Sequence, residues 1–444
     1  MGYLIMAGQL ILSLSILIVL HELGHFTPAR LFNTRVEKFF LFFDAGFKLF
    51  STKIGDTEWG IGWLPLGGYV KISGMIDESF DSDQMEAEPQ PWEFRSKPAW
   101  QRLIIMLGGV TVNFLLGFFI YAMILFGYGR EYLPNQNVTY GIAADSLGQE
   151  LGLRSGDQIV SINGEPFTEF NDRRILQAIV IDNASNMTVE RNGSQQTIAI
   201  GNEWADILSR YENKERSLFS LRLPFTVSEL SDDSPAVKAG IRPGDKIVAL
   251  NDTPTQFYDQ FVDAVKGKGG QEVAVSLERE GEGRLTKSLT LTEEGRIGAY
   301  AEPFTYYYNT ERQEYGFAES FPAGFNQGVD FLGSQFKAFG QMFRGKIKVT
   351  ESLGGFASIG SMFGQVWNWE RFWNLTAALS LILAFMNLLP IPGLDGGHVI
   401  FLLYEIASGR KPSDKFMERA TMVGLVIVMG LLIFANGLDI WRNL

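Results

Sequence analysis

The chain has 444 residues, 46% of them hydrophobic and 20% charged, and at roughly 150 residues per domain it has room for about three domains. The apolar residues gather into four long uncharged stretches, which excludes a collagen, a coiled coil, a disordered tail or a small disulfide scaffold. There is no cysteine, so disulfides, thiolate zinc clusters and cysteine nucleophiles are excluded, and a net charge of −12 argues against nucleic acid as a partner.

The first uncharged run is Tyr3 to Leu20. With the later runs Leu103–Phe126, Phe372–Leu394 and Ala420–Leu438, it is long enough to cross a bilayer core of roughly 30 Å at 1.5 Å per residue. The first run does not read as a cleaved signal peptide, because its basic flank follows the run and no small-residue cleavage site comes after it. At its end stands His21-Glu22-Leu23-Gly24-His25. Between the first two runs, Thr57 to Met75 alternates apolar and small residues around Gly60, Gly62, Gly67 and Gly68. It is expected to form a hairpin or strand pair that dips toward the membrane.

The long segment after the second run contains an internal repeat. DSLGQELGLRSGDQIVSINGEP begins at Asp145 and DSPAVKAGIRPGDKIVALNDTP at Asp233, with ten of 22 aligned positions identical. Each copy has a helix-like start, a glycine stop, a Gly-Asp turn at Gly156 or Gly244, and then strand-like alternation. Further strand-like runs are Met187–Glu190, Thr197–Ile200, Val273–Leu277 and Ser288–Leu291. The motif resembles the PDZ domains of bacterial envelope proteases, which implies peptide binding by strand addition. Between Phe321 and Phe343 the apolar residues share one helical face, as in an interfacial helix or one packed on a domain.

Basic residues set an orientation. Arg30, Arg35 and Lys38 follow span one, Arg95, Lys97 and Arg102 precede span two, and Arg410, Lys411, Lys415 and Arg419 join spans three and four. The expectation is both termini and the repeats outside the cytoplasm, with the 1–2 and 3–4 loops inside.

The HExxH pattern carries chemistry. On a helix, positions i and i+4 share a face, so His21 and His25 can reach one ion, and Glu22 sits near enough to hold the attacking water. Ionisable groups at a span end are expensive unless they serve a function. A third ligand is needed to leave one position open. His398 is the single histidine left, so a carboxylate is sought. Span three ends in Asn387-Leu-Leu-Pro-Ile-Pro-Gly-Leu-Asp395-Gly-Gly-His398, where two prolines and three glycines interrupt the helix. Asp395 is taken as the third ligand, with His398 as its rival and otherwise a group behind the site.

HELGH, NLLPIPGLDGGH and PLGGYVK (65–71), together with the two repeats, resemble the site-2 protease family of intramembrane metalloproteases, in its RseP-like bacterial subtype. The resemblance implies zinc on His21, His25 and Asp395, Glu22 as general base, Asn387 as a contact for the substrate backbone, and Asn113 as a polar partner from span two, counted with Asn387 among the substrate-binding residues. Val110 after Gly109 and Phe356 after Gly355 depart from the family's Gly-Pro pairs, away from the metal motif. An exposed edge strand at Gly68, Tyr69 and Val70 would pair with an unwound substrate segment.

The expected fold is a polytopic α-helical membrane protein of about four spans with two exterior α+β PDZ-like domains. Its parts are 1–30, span one; 31–98, a cytoplasmic loop with the membrane-dipping hairpin; 99–127, span two; 128–215 and 216–303, the PDZ-like domains; 304–371, interfacial helix and linker; 372–405, span three; 406–419, a cytoplasmic loop; and 420–444, span four. The resemblance implies a multi-pass protease of the bacterial inner membrane. It would cut transmembrane segments of single-span proteins, either anti-sigma factors or signal-peptide remnants, while its PDZ-like domains bind peptides. The alternatives are a membrane PDZ scaffold or zinc-binding protein without proteolysis, a zinc transporter, and an anchored peptidase for soluble peptides. An intact Glu22 speaks against scaffold and transporter, since neither needs a base there.

Overall fold

A computed structural model describes residues 1–65, 67–75, 88–213, 216–345, 350 and 353–443. Leu66 of the PLGGYVK motif, 76–87 of the expected cytoplasmic loop, 214–215 at the expected border between the repeats, 346–349 and 351–352 of the linker, and Leu444 of span four lie outside the described residues. The chain forms two compact units. One comprises 1–129, 314–336 and 353–444, the other 130–313 and 337–352.

Four helices of the first unit are long and apolar enough to cross a membrane. They are α1 (Gly2–Leu31), α2 (Ala99–Tyr128), α5 (Trp369–Leu388) and α7 (Asp414–Asn443). The other helices here are α3 (Phe317–Phe343), which belongs to this unit as far as residue 336, α4 (Phe356–Phe363) and α6 (Asp395–Ser408). Helix α1 runs past the end of the uncharged run at Leu20, through the HELGH motif and Pro28 to Leu31, within one residue of the expected end of span one at 30. Its buried residues Gln9, Ser13, Leu17 and His25 fall on one face at helical spacing.

That face meets small and hydroxyl-bearing residues. Gly24 lies directly on Gly108 and Gly109 of α2, where any Cβ would strike backbone. Such glycine contacts let apolar helices approach closely where no hydrophobic effect drives them together. Ser13 Oγ is 2.9 Å from Thr376 Oγ1 of α5, and Ser380 Oγ donates to the Asn113 carbonyl of α2 at 2.7 Å. Gly324 of α3 presses on the α2 backbone at Ala122, and Gly328 on Phe118. Helix α3, expected at an interface or on a domain, therefore packs along a span.

Between α1 and α2 lies a four-stranded sheet of β1 (Val36–Leu41), β2 (Phe43–Ile54), β3 (Thr57–Leu64) and β4 (Tyr69–Ile72), in the order β2-β3-β1-β4. The expected pairing of the two halves of 57–75 does not occur. Strand β1 inserts between them, parallel to β3 and antiparallel to β4. Val36 and Phe40 are fully buried, so this strand is the core of the sheet and its neighbours form around it. Strand β4 is left at one edge. Phe47, Leu49, Phe50 and Ile54 of β2 are exposed at the other.

The second unit holds the repeats, each built in the same order. In the first, Ser194–Ala199, Asn186–Arg191, Gln158–Ile162 and Glu165–Pro166 form a sheet beside the helix Asp172–Val180. In the second, Thr253–Pro254, Lys246–Leu250, Glu272–Arg279 and Gly283–Thr290 do so beside Tyr258–Val265. Gly156 and Gly244 take φ of 97° and 87°, left-handed values that suit glycine. Phe219–Leu221, assigned by sequence to the second copy, pairs with Ile142–Ala144 of the first, and Leu218 and Phe219 join the first copy's core. The border between copies therefore lies after residue 221, not at 215.

Candidate metal centre

Helix α5 ends at Leu388, and after a break α6 begins at Asp395. Pro390 and Pro392 cannot continue a helix. Gly393 turns at φ 96°, while Gly396 and Gly397 sit where a Cβ would collide with the backbone of 388–392. Gly424 of α7 rests against the Pro392 carbonyl from behind. Asp395 is thus held at a helix start and turned toward α1.

His21 Nε2 and His25 Nε2 lie 3.3 and 3.4 Å from the same oxygen, Asp395 Oδ2, and 3.2 Å from each other. Three ligand atoms each at roughly 2.0–2.1 Å from a tetrahedral ion stand about 3.3 Å apart. The triangle fits zinc without adjustment. Asp395 Oδ2 is buried and receives no hydrogen bond, as a metal-facing oxygen should be. These three residues are the metal-competent group found among the described residues.

Further contacts orient the rings. His25 Nδ1 is 2.8 Å from the Ile105 carbonyl, so it carries the proton and leaves the Nε2 lone pair facing Asp395. His21 Nδ1 is 3.2 Å from the side-chain amide of Asn113, which is almost wholly buried. Asn113, implied by family resemblance to be a polar partner from span two, stands beside His21 and, though almost wholly buried, also borders the cavity on the triangle. Asn387 Nδ2 is 3.4 Å from His21 Nε2, at the rim of the triangle. Gly109 makes the space for both rings, since a Cβ there would fall on His25 Nε2 and on the His21 ring.

A cavity of about 740 Å³ opens on the triangle. Glu22 lines it from α1, Gly68 just before β4, Tyr69 and Val70 from β4, and Thr421 and Met429 from α7. His398 lines it too, one turn beyond Asp395, but outside the three-atom cluster. Tyr69 is fixed by its hydroxyl, which donates to Asp44 Oδ1 at 2.9 Å, and by stacking on Phe40 and Phe43. Asp44 and the α7 residues escaped the reading of the sequence, and Lys38, which also lines the cavity, entered it only as a basic flank of span one. The signal for Gly109 was a glycine pair inside an apolar span. For Asp44 there was none, because its partner lies 25 residues away.

The arrangement can bind one divalent ion with a position left open, beside a carboxylate and an exposed backbone edge. Known proteins agree with that chemistry. The model of peptidase family M50 matches residues 9–431. Relatives include a protein named as a zinc metalloprotease in Neisseria meningitidis, 27% identical over 98% of each chain. The regulator of sigma E protease of Haemophilus influenzae is 27% identical over the whole of both chains, and the regulator of sigma-E protease RseP of Escherichia coli is 29% identical over 96% of this chain and 97% of its own. The chain belongs to peptidase family M50 and is a zinc-dependent intramembrane metalloprotease of the site-2 type.

Proposed function

We propose that His21, His25 and Asp395 hold the zinc, that Glu22 is the general base, and that the substrate is a transmembrane segment of a single-span protein, cut while it lies extended along β4. Bound zinc supplies a Lewis acid that acidifies the attacking water and polarises the scissile carbonyl. Glu22 takes the proton from that water and passes it to the leaving amine. Asn387, at the rim, is placed to donate to the substrate carbonyl as charge builds on it. Asn113 serves the reaction by fixing His21 rather than by touching the substrate. A helical segment hides its carbonyls in its own hydrogen bonds, so strand pairing at Gly68, Tyr69 and Val70 keeps it open.

The observation that carries this reading is the 3.2–3.4 Å triangle with one unpartnered carboxylate oxygen, set on a cavity that β4 borders. The two repeats, with their matching sheets and flanking helices, are read as PDZ-like domains outside the cytoplasm. They would bind peptides and screen substrates whose exterior part has not been trimmed. The domain divisions are proposed as in the sequence reading, except that the border between repeats moves past residue 221, helix α6 reaches to 408 and α7 starts at 414, which leaves only 409–413 of the expected 406–419 loop between them. Basic flanks support both termini outside and a bacterial inner-membrane location. Relatives named for sigma E regulation favour an anti-sigma factor as substrate, with signal-peptide remnants as the alternative.

Detergent-purified protein incubated with single-span substrates tests the reading. Cleavage is expected, with loss on zinc chelation and return on adding zinc. Glu22→Gln should lower turnover by about 10²- to 10⁴-fold while keeping zinc. Parent-rate cleavage by that variant sinks the mechanism. Reporter fusions after residue 200 should behave as exported and fusions near 412 as cytoplasmic, and the opposite pattern sinks the topology.

A further inference from the structure

The glycines of 57–75 have a use that their alternation does not disclose. Strand β1 passes to β2 through a single residue, Phe42, held at φ 67°. A bulky side chain in the left-handed region is costly, and such a conformation persists only where the surrounding structure holds it. Two glycines make room for the turn. A Cβ on Gly62 would stand 2.2 Å from the Phe43 carbonyl oxygen, and one on Gly67 would stand 2.8 Å from the Phe43 ring. Strands β2 and β4 are the opposite edges of the sheet, yet the turn brings the start of one to the start of the other.

Strand β4 has β1 as its one neighbour, and an edge strand so held is free to shift or fray. At Tyr69 that freedom is removed. The Tyr69 hydroxyl donates to Asp44 Oδ1 at 2.9 Å, Lys38 Nζ of β1 lies 3.5 Å from Asp44 Oδ2, and the Tyr69 ring stacks on Phe40 and Phe43. One carboxylate thus ties together β1, the start of β2 and the start of β4. Lys38, Asp44 and Tyr69 all line the cavity on the metal triangle. Hydrolysis as proposed makes no use of Asp44 or Lys38.

We infer that Asp44 is a positioning residue for substrate capture: its carboxylate fixes Tyr69, and through it the open edge of β4, against the wall of the zinc cavity. The inference rests on the substrate lying along β4. A peptide that adds to an edge gains most where that edge is already in place. Loosening the edge therefore weakens capture and leaves the zinc and its ligands as they were.

Zinc content, melting, KM and kcat on a single-span substrate are measured with the full-length protein in detergent. The variants are Asp44→Ala, Asp44→Asn, Tyr69→Phe and the double variant Asp44→Ala/Tyr69→Phe. Asp44→Ala should raise KM by about 10-fold or more, the range of one hydrogen bond to a charged group, with kcat and zinc held within about twofold. Asp44→Asn keeps an oxygen that can accept from the hydroxyl, so its KM should lie nearer the parent's. Tyr69→Phe keeps the stacking and should raise KM as Asp44→Ala does, and the double variant should be no worse than either alone. A KM within about twofold of the parent in Asp44→Ala overturns the inference. So do additive losses in the double variant, an Asp44→Asn as damaged as Asp44→Ala, and a loss carried by zinc. The chain has no cysteine, so Val70→Cys reports docking without background. On mild oxidation it should form a disulfide with a single-cysteine substrate, and adding Asp44→Ala should lower the yield several-fold. No disulfide in Val70→Cys alone brings down the docking of substrate on β4, and is told apart from a failed clamp, in which both chains cross-link alike.

Discussion

Carboxylate oxygens buried in each of the two units show how burial alone fails to mark function. In the second repeat, Asp245 receives both Nε and Nη2 of Arg279 at 2.7 and 2.8 Å, and the Arg242 N–H at 2.8 Å. Asp157 and Arg191 repeat the arrangement in the first copy, at 2.7 Å for both contacts. Every strong acceptor site there has a donor, and the pairs tie a turn to a strand. Asp395 has no arginine. Its near neighbours are two imidazoles turned toward one unpartnered oxygen. A satisfied carboxylate is a structural joint, while one left short of donors among metal-binding rings is a site waiting for a cation.

The largest effect expected from breaking this contrast comes from the glycine that makes room for the rings. Gly109→Ala puts a methyl group on His25 Nε2 and the His21 ring. Zinc content and turnover should both fall, turnover by more than about 100-fold, with the repeats still folded by limited proteolysis. Unchanged zinc would mean that the rings have another arrangement open to them.

A smaller effect, of opposite character, is expected in the repeats. Arg279→Met leaves Asp245 buried without its partner. The full-length chain should melt earlier, by several degrees, while zinc stays stoichiometric. Burial opposes ionisation of Asp245, but the hydrogen bonds from Arg279 and the Arg242 N–H outweigh it and hold its pKa below the usual carboxylate value. A depressed pKa contributes stability that is present above the unfolded value of roughly 4 and is lost as pH falls through the folded value. Melting of the second repeat should therefore begin to drop below about pH 4, and that acid dependence should weaken in Arg279→Met. If the substitution leaves melting unchanged, the pair is not the joint described.

The sequence carried the site better than the scaffold around it. Two histidines at i and i+4, a glutamate between them and an aspartate among prolines and glycines in a span each break a local rule, and such breaks are visible without a structure. The sheet was misjudged because its central strand, Val36–Leu41, has an apolar pattern no different from a short helix, and its partners lie 20 to 36 residues on. The border between repeats was misplaced for a similar reason. Phe219–Leu221 returns to pair with Ile142–Ala144 after a whole domain has intervened, and no local signal records that. Gly24 illustrates the limit within the motif itself: its contact with Gly108 is dictated by a helix that the motif does not contain.

The smallest effect concerns the glue between spans. Ser13→Ala removes the hydroxyl pair with Thr376, far from the metal along α1. Interhelical hydrogen bonds of this kind contribute about 0.6 kcal/mol on average. Detergent unfolding should shift by that order with zinc and turnover unchanged. A loss of zinc would show that the contact sets the rotation of α1 and belongs with the site.

Metal analysis of two purified variants tests the central claim most directly. Asp395→Ala removes one corner of the triangle, and His398→Ala removes the one histidine outside it. Zinc near zero in the first and near one per chain in the second is the expected result. Stoichiometric zinc in Asp395→Ala, with loss in His398→Ala, would contradict the triangle and move the third ligand to His398.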